Sequence, residues 1–335
     1  MPYGVVAMDL VGEAISAMRT GDPQAARALL KPPWGLRFNA AGGAGVQVIL
    51  RGEAWLIPPD GGEPIHMAAG DVALIRRRRP HGMADDPSTP LYDVTIDEHD
   101  PAAHWPADGS AMDEGVPGTV LLGGSYYLNG ARPHPLFESI PDVIHLPARI
   151  GAPGPVRTVV ELLGAEMDSE RPGTSAALPA LLDLLLLYTM RTWLETTTQP
   201  LGWAQALRDP ALSAALRAIQ ERPAEPWTVA SLAREASLSR AAFARRFATL
   251  TGQPPLGYLT WWRMTIAARL LQTSDLPMEA IAGRVGYSSE YAFSKAFKRE
   301  LGLAPAHYRR QQRHPDRAMP DGVSPVSIGT RAGTD

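Results

Sequence analysis

Apolar residues along this chain keep two different periods. Between Leu36 and Ile96 they come in short runs: Val46-Gln47-Val48-Ile49-Leu50, Ala54-Trp55-Leu56-Ile57 and Val72-Ala73-Leu74-Ile75. Turn formers separate them, namely Arg51-Gly52, Pro58-Pro59-Asp60-Gly61-Gly62 and Gly70-Asp71. Closely spaced strands with such breaks predict a small antiparallel barrel or sandwich. A loop rich in Asp, Pro and Gly is expected over 97–118, a further strand near 119–128 and a short helix over 135–140. From there the apolar period lengthens, predicting helices over about 156–167 and 175–196. The second contains Leu181-Leu182-Asp183-Leu184-Leu185-Leu186-Leu187-Tyr188, apolar nearly all round, so most of its sides must be covered. A barrel face and a second subunit would do this, and so would burial within one chain.

The last third carries an imperfect repeat. Leu232-Ala233-Arg234-Glu235-Ala236-Ser237-Leu238-Ser239 is followed by Phe243 and Phe247, and Ile281-Ala282-Gly283-Arg284-Val285-Gly286-Tyr287-Ser288 by Phe293 and Phe297. Each copy reads as a short helix, a turn and a second helix. Thr228 and Ser239 are the expected N-caps in the first copy, and Pro277 suits the first turn of the second. One helix over about 256–273 joins the copies, and at about 1.5 Å per residue it spans roughly 27 Å. Two reading heads near its ends would lie about one DNA turn, ~34 Å, apart.

Charge supports that direction. The net of −3 divides into 15 Lys plus Arg against 8 Asp plus Glu over 209–313, and 17 against 27 elsewhere. A basic C-terminal part suits phosphate contact. Cysteine is absent, which excludes disulfides, thiolate metal sites and cysteine nucleophiles. The first twenty residues carry Asp9 and Glu13 and lack the order of a secretion signal, so a cytoplasmic protein with no membrane partner is expected. Arg76-Arg77-Arg78-Arg79 is the densest basic run, read as a strand edge protected by charge.

Helical phase then names candidate contacts with double-stranded DNA. In the first copy Arg240, Ala241, Ala244 and Arg245 share the face opposite Phe243 and Phe247. Arg245 can donate two hydrogen bonds to guanine O6 and N7, and Arg240 sits where a phosphate lies. In the second copy Glu290, Tyr291, Ser294 and Lys295 point outward, with Lys295 equivalent to Arg245. Glu290 either accepts from cytosine N4 or is a neutral surface carboxylate.

Gly286-Tyr287-Ser288, Phe293-Ser294-Lys295-Ala296-Phe297-Lys298, Gly302 and Pro305-Ala306-His307-Tyr308-Arg309 resemble the signature of the AraC/XylS family, and the match extends over about 211–310. The resemblance implies a transcription regulator, usually an activator working with RNA polymerase. It makes the outward residues the expected DNA contacts, with Tyr308 and Arg309 closing the second core. Pro32-Pro33-Trp34, Leu50 to Leu56, Ala69-Gly70-Asp71 and Pro80-His81-Gly82 resemble the cupin-like sensor domain of one branch of that family. An effector pocket lined by Trp34, Gln47, Trp55 and His81 follows from that likeness. Gln47 stands where cupin enzymes often carry an imidazole, and no His-x-His pair occurs, so no metal or other cofactor and no catalytic residue is expected.

The expected architecture is α+β in two domains, a cupin-like antiparallel β-barrel with trailing helices and an all-α double helix-turn-helix. Its segments are a sensor barrel over 1–155, a helical dimerisation segment over 156–198, a linker over 199–210, the DNA reader over 211–313 and a disordered tail over 314–335. A small-molecule effector and homodimerisation complete the reading. The alternative is a metal-dependent cupin enzyme fused to a DNA-binding part, using His66, His81 and Glu53.

Overall fold

The computed structural model describes residues 10–19, 21–38, 43–76, 80–94, 118–127, 134–148, 154–167, 171–198 and 202–313. The expected loop up to residue 117, Arg77 to Arg79 and the tail 314–335 lie outside them. In chain order the elements are α1 (Leu10–Met18), β1 (Gln24–Leu30), β2 (Gly35–Phe38), β3 (Ala44–Arg51), β4 (Glu53–Ile57), β5 (Ile65–Ala68), β6 (Val72–Arg76), β7 (His81–Ala84), β8 (Tyr92–Val94), β9 (Thr119–Tyr126), α2 (Pro135–Ser139) and β10 (Val143–Leu146). Helices follow: α3 (Pro155–Met167), α4 (Thr174–Thr196), α5 (Gly202–Arg208), α6 (Pro210–Glu221), α7 (Val229–Glu235), α8 (Arg240–Thr251), α9 (Pro255–Thr273), α10 (Met278–Arg284), α11 (Glu290–Leu301) and α12 (Pro305–Arg313).

The strands form two five-stranded sheets, ordered β1-β9-β3-β6-β10 and β5-β4-β7-β2-β8. Pairing is antiparallel except between β2 and β8. Alternation along β4 explains the core between them: Ala54 and Leu56 are fully buried while Glu53, Trp55 and Ile57 turn outward. Phe38, Ile49, Leu56, Met67, Met83 and Leu121 fill the interior. The first sheet is covered on its other face as well. Helix α4 packs on β1, β6 and β10, and α3 packs on β3. A side chain at Gly124 would put its Cβ 2.7 Å from Val46 and 3.4 Å from Leu182, so the small residue lets α4 close on the sheet.

Helix α4 is long and apolar enough to cross a membrane, but Leu182, Leu185, Leu186 and Met190 are buried against protein. Its Asp183 pairs with Arg19 at the end of α1, and Tyr126 Oη donates to the Leu182 carbonyl at 2.8 Å. Leu184, and Leu162 on α3, remain exposed at 39% and 50%.

The described residues pack as two compact units, those from 10 to 221 with 227–258, and 222–226 with 259–313. Where composition predicts a linker over 199–210, residues 202–208 form α5 instead. Trp203, Ala204 and Ala206 are buried there, and a tryptophan that size stabilises packing by about 2 kcal/mol or more. Helix α5 packs on α2 and on α8. Trp203 Nε1 donates to the Thr251 carbonyl at 3.1 Å. Its ring meets His134 edge-on at 5.0 Å and lies 5.1 Å from Tyr258. The first helix-turn-helix is therefore built into the same unit as the barrel. In the other unit Leu271, Ile281, Val285, Phe293, Phe297 and Tyr308 make a separate core.

Candidate nucleic-acid interface

Local chemistry sets both reading helices. Thr228 and Ser231 form a capping box at the start of α7. The turn passes through Ser237 at φ +53, and Ser239 caps α8 by accepting from the Ala242 amide. The second copy repeats this, with Gly286 at φ +80 in the turn and Ser289 accepting from the Ala292 amide. Ser237 and Gly286 are equivalent residues of the repeat, and both adopt the left-handed conformation that the turn requires. Gly286 meets a second demand. A Cβ there would lie 2.8 Å from the Ala224 carbonyl oxygen and 2.6 Å from Arg263 Nη2.

Phe243 and Phe247 on α8, and Phe293 and Phe297 on α11, are fully buried. That phase turns the opposite faces outward. Arg240, Ala241 and Arg245 are exposed and Ala244 is half-buried beside them. Neither Arg240 nor Arg245 bonds to any described residue. The neighbouring Arg246 differs: it reaches the Asp209 carboxylate at 2.5 Å. On α11, Glu290, Tyr291 and Lys295 are exposed and Ser294 is half-buried. Tyr291 is 79% exposed. Tyr308 packs edge-on to Phe297 at 5.4 Å and receives a hydrogen bond from Gln272, and Arg309 donates to the Leu276 carbonyl.

The anchors beneath these faces escaped the sequence reading. Asp209 caps α6 through the Ala211 and Leu212 amides while holding Arg246, a role its Asp-Pro setting could have signalled. Arg263 donates to the Pro223 and Glu225 carbonyls and sits 5.8 Å over the Tyr287 ring. No local pattern announces that contact.

In the barrel, Gln47 and His81 come together, Nε2 to Nε2 at 3.0 Å, and Phe38 stacks on the imidazole at 5.1 Å. Trp34 belongs to the same interior cluster. Trp55 does not join them, since it lies on the outer face of β4 edge-on to His66. His66 pairs with Glu53 at 3.1 Å on the surface while His81 is buried, so the two imidazoles do not converge. A cupin metal centre needs about three converging donors. Among the described residues no group of three or more His, Asp or Glu is placed to hold a metal, and His66, His81 and Glu53 do not bring three donors together.

Comparison with known proteins decides what this arrangement is. A cupin family model matches residues 9–195 and a helix-turn-helix domain model matches residues 232–311. An AraC-like transcription regulator of Streptomyces lividans is 31% identical over 309 residues, which is 92% of this chain and 100% of the relative. The chain belongs to the AraC family of transcription regulators. AlkR, a helix-turn-helix regulator of Acinetobacter baylyi, is 33% identical over 83% of this regulator and 91% of its own length. The DNA-binding domain of AdpA, solved with a target DNA, is 40% identical over 33% of this chain and 99% of that one, with a TM-score of 0.31. The regulator thus joins a cupin domain to an AraC-type DNA-binding domain.

Proposed function

We propose that the regulator works in the cytoplasm as an effector-responsive dimer that activates transcription with RNA polymerase. In this reading α8 and α11 enter successive major grooves, with Arg240, Ala241, Ala244, Arg245, Glu290, Tyr291, Ser294 and Lys295 facing the DNA. The observation that carries it is the matched pair of outward cations. Arg245 and Lys295 occupy equivalent positions of the repeat and neither bonds to any described residue. Arg245 suits bidentate contact with guanine and Lys295 suits a base acceptor or phosphate.

Two further observations support the sensing and dimeric parts. Gln47 Oε1 and Trp34 Nε1 are buried in the barrel without a hydrogen-bond partner among the described residues. Each costs about 1–3 kcal/mol unless something answers it, so an effector offering one donor and one acceptor suits that interior. Turning the Gln47 amide over leaves its NH2 end unanswered instead. Exposed Leu162 and Leu184 offer α3 and α4 as the dimer face.

DNase footprinting on the regulator's own upstream region, at stated salt, tests the reading. Protection of paired sites, each about two helical turns long, is the expected result. Salt-sensitive binding with no defined footprint would refute it.

A further inference from the structure

Helices α1, α4, α5 and α6 line an open hollow of about 450 Å³ at the surface, apart from the barrel interior. The size is ordinary for a small-molecule site. Leu10, Leu194 and Leu207 supply apolar wall, and three guanidiniums, Arg191, Arg208 and Arg217, stand around it against one carboxylate, Glu195. Two of the arginines have local tasks. Arg191 lies 5.6 Å over the Tyr188 ring, and Arg208 donates to the Leu194 carbonyl near the C-terminus of α4. Arg217 bonds to no described residue.

We propose that this hollow binds an organic carboxylate with a compact apolar body, its head on Arg217 and its body against the leucines. Three like charges around one hollow repel each other, and an anion relieves that repulsion while making charge-assisted hydrogen bonds. The leucines add apolar contact that inorganic anions cannot use. The walls explain what occupancy does. Helices α1 and α4 lie on the cupin side, α5 packs on α8, and α6 packs on α7. A ligand touching all four stiffens the mounting of the first helix-turn-helix, and whatever it adds to the DNA-competent arrangement appears as DNA affinity. The site does not depend on the barrel effector or on the DNA register, so its test needs neither.

Full-length protein is titrated with 2-naphthoate and, separately, with the neutral 2-naphthalenemethanol, by calorimetry at low salt. One carboxylate per chain is expected, bound at least about tenfold more tightly than the alcohol. Arg217→Met weakens naphthoate by about tenfold or more and Arg217→Lys restores part of the loss; Arg217 is exposed, so circular dichroism of both variants matches the parent. Equal binding of acid and alcohol, no saturable binding at millimolar naphthoate, or full affinity in Arg217→Met each overturns the proposal. Binding that survives Arg217→Met and is lost in Gln47→Met places the ligand in the barrel, with the same consequence.

Discussion

Acid tests the joint between the barrel and the first helix-turn-helix. His134 is 2% exposed, and its Nδ1 accepts from the Leu136 amide at 3.0 Å, which caps α2. The proton therefore sits on Nε2, which donates to Tyr258 Oη at 3.2 Å, while Gln220 Nε2 donates to the same oxygen at 3.1 Å. Burial pushes the imidazole pKa from 6.5 down to about 3, because a charge there would lie among Trp203 and Tyr258 without solvent. In the unfolded chain the same group titrates near 6.5, so below that pH the unfolded state takes up a proton that the fold refuses. The stability contribution is whole above about pH 6.5 and is lost as pH falls toward about 3, at about 1.4 kcal/mol per pH unit. By pH 5 the loss is about 2 kcal/mol. His134→Asn keeps a capping acceptor and removes the titration, at a cost of about 1–3 kcal/mol near pH 7.5 from the lost Tyr258 bond and the vacated space. Urea unfolding followed by tryptophan fluorescence, with Trp203 beside the site, measures both proteins at pH 7.5, 6 and 5. The gap between parent and variant is expected to shrink by about 2 kcal/mol across that range. A gap independent of pH would refute a buried neutral imidazole at this joint.

Arg245→Ala is expected to cost about 1–3 kcal/mol on the specific site and to relax preference at one base pair; an equal loss on random DNA, by competition binding, would make it a phosphate contact. Lys295→Ala should weaken binding in the second groove, and an unchanged footprint and affinity would rule out the proposed register. Gly286→Ala should destabilise its unit by more than Gly302→Ala: both glycines have φ near +80, but only Gly286 faces backbone at 2.8 Å, so equal shifts in thermal unfolding would remove the close-approach argument. Leu184→Glu should give monomers in sedimentation velocity, and a persistent dimer would move the interface away from α3 and α4.

What the sequence disclosed follows the range of the signals in it. Helical phase is local, so Phe243, Phe247, Phe293 and Phe297 were legible as two inward stripes, and the caps at Thr228 and Ser239 were legible as single residues. The cupin likeness set Trp55 among the pocket residues, yet the period of two along Glu53 to Ile57 assigns the interior to Ala54 and Leu56 and leaves Trp55 on the outer face beside His66. Contacts remote in sequence left no trace at all. His134 and Tyr258 lie 124 positions apart, and neither residue's neighbours hint that the barrel holds the first reader through them. The same limit bears on the DNA face. Arg245 and Arg246 are adjacent, with successive positions about 100° apart around the helix, and phase favours the first without saying what becomes of the second. The Asp209 carboxylate answers that by occupying Arg246. On α8 that leaves Arg240 and Arg245 without a bond to any described residue, which supports the place proposed for them at the DNA.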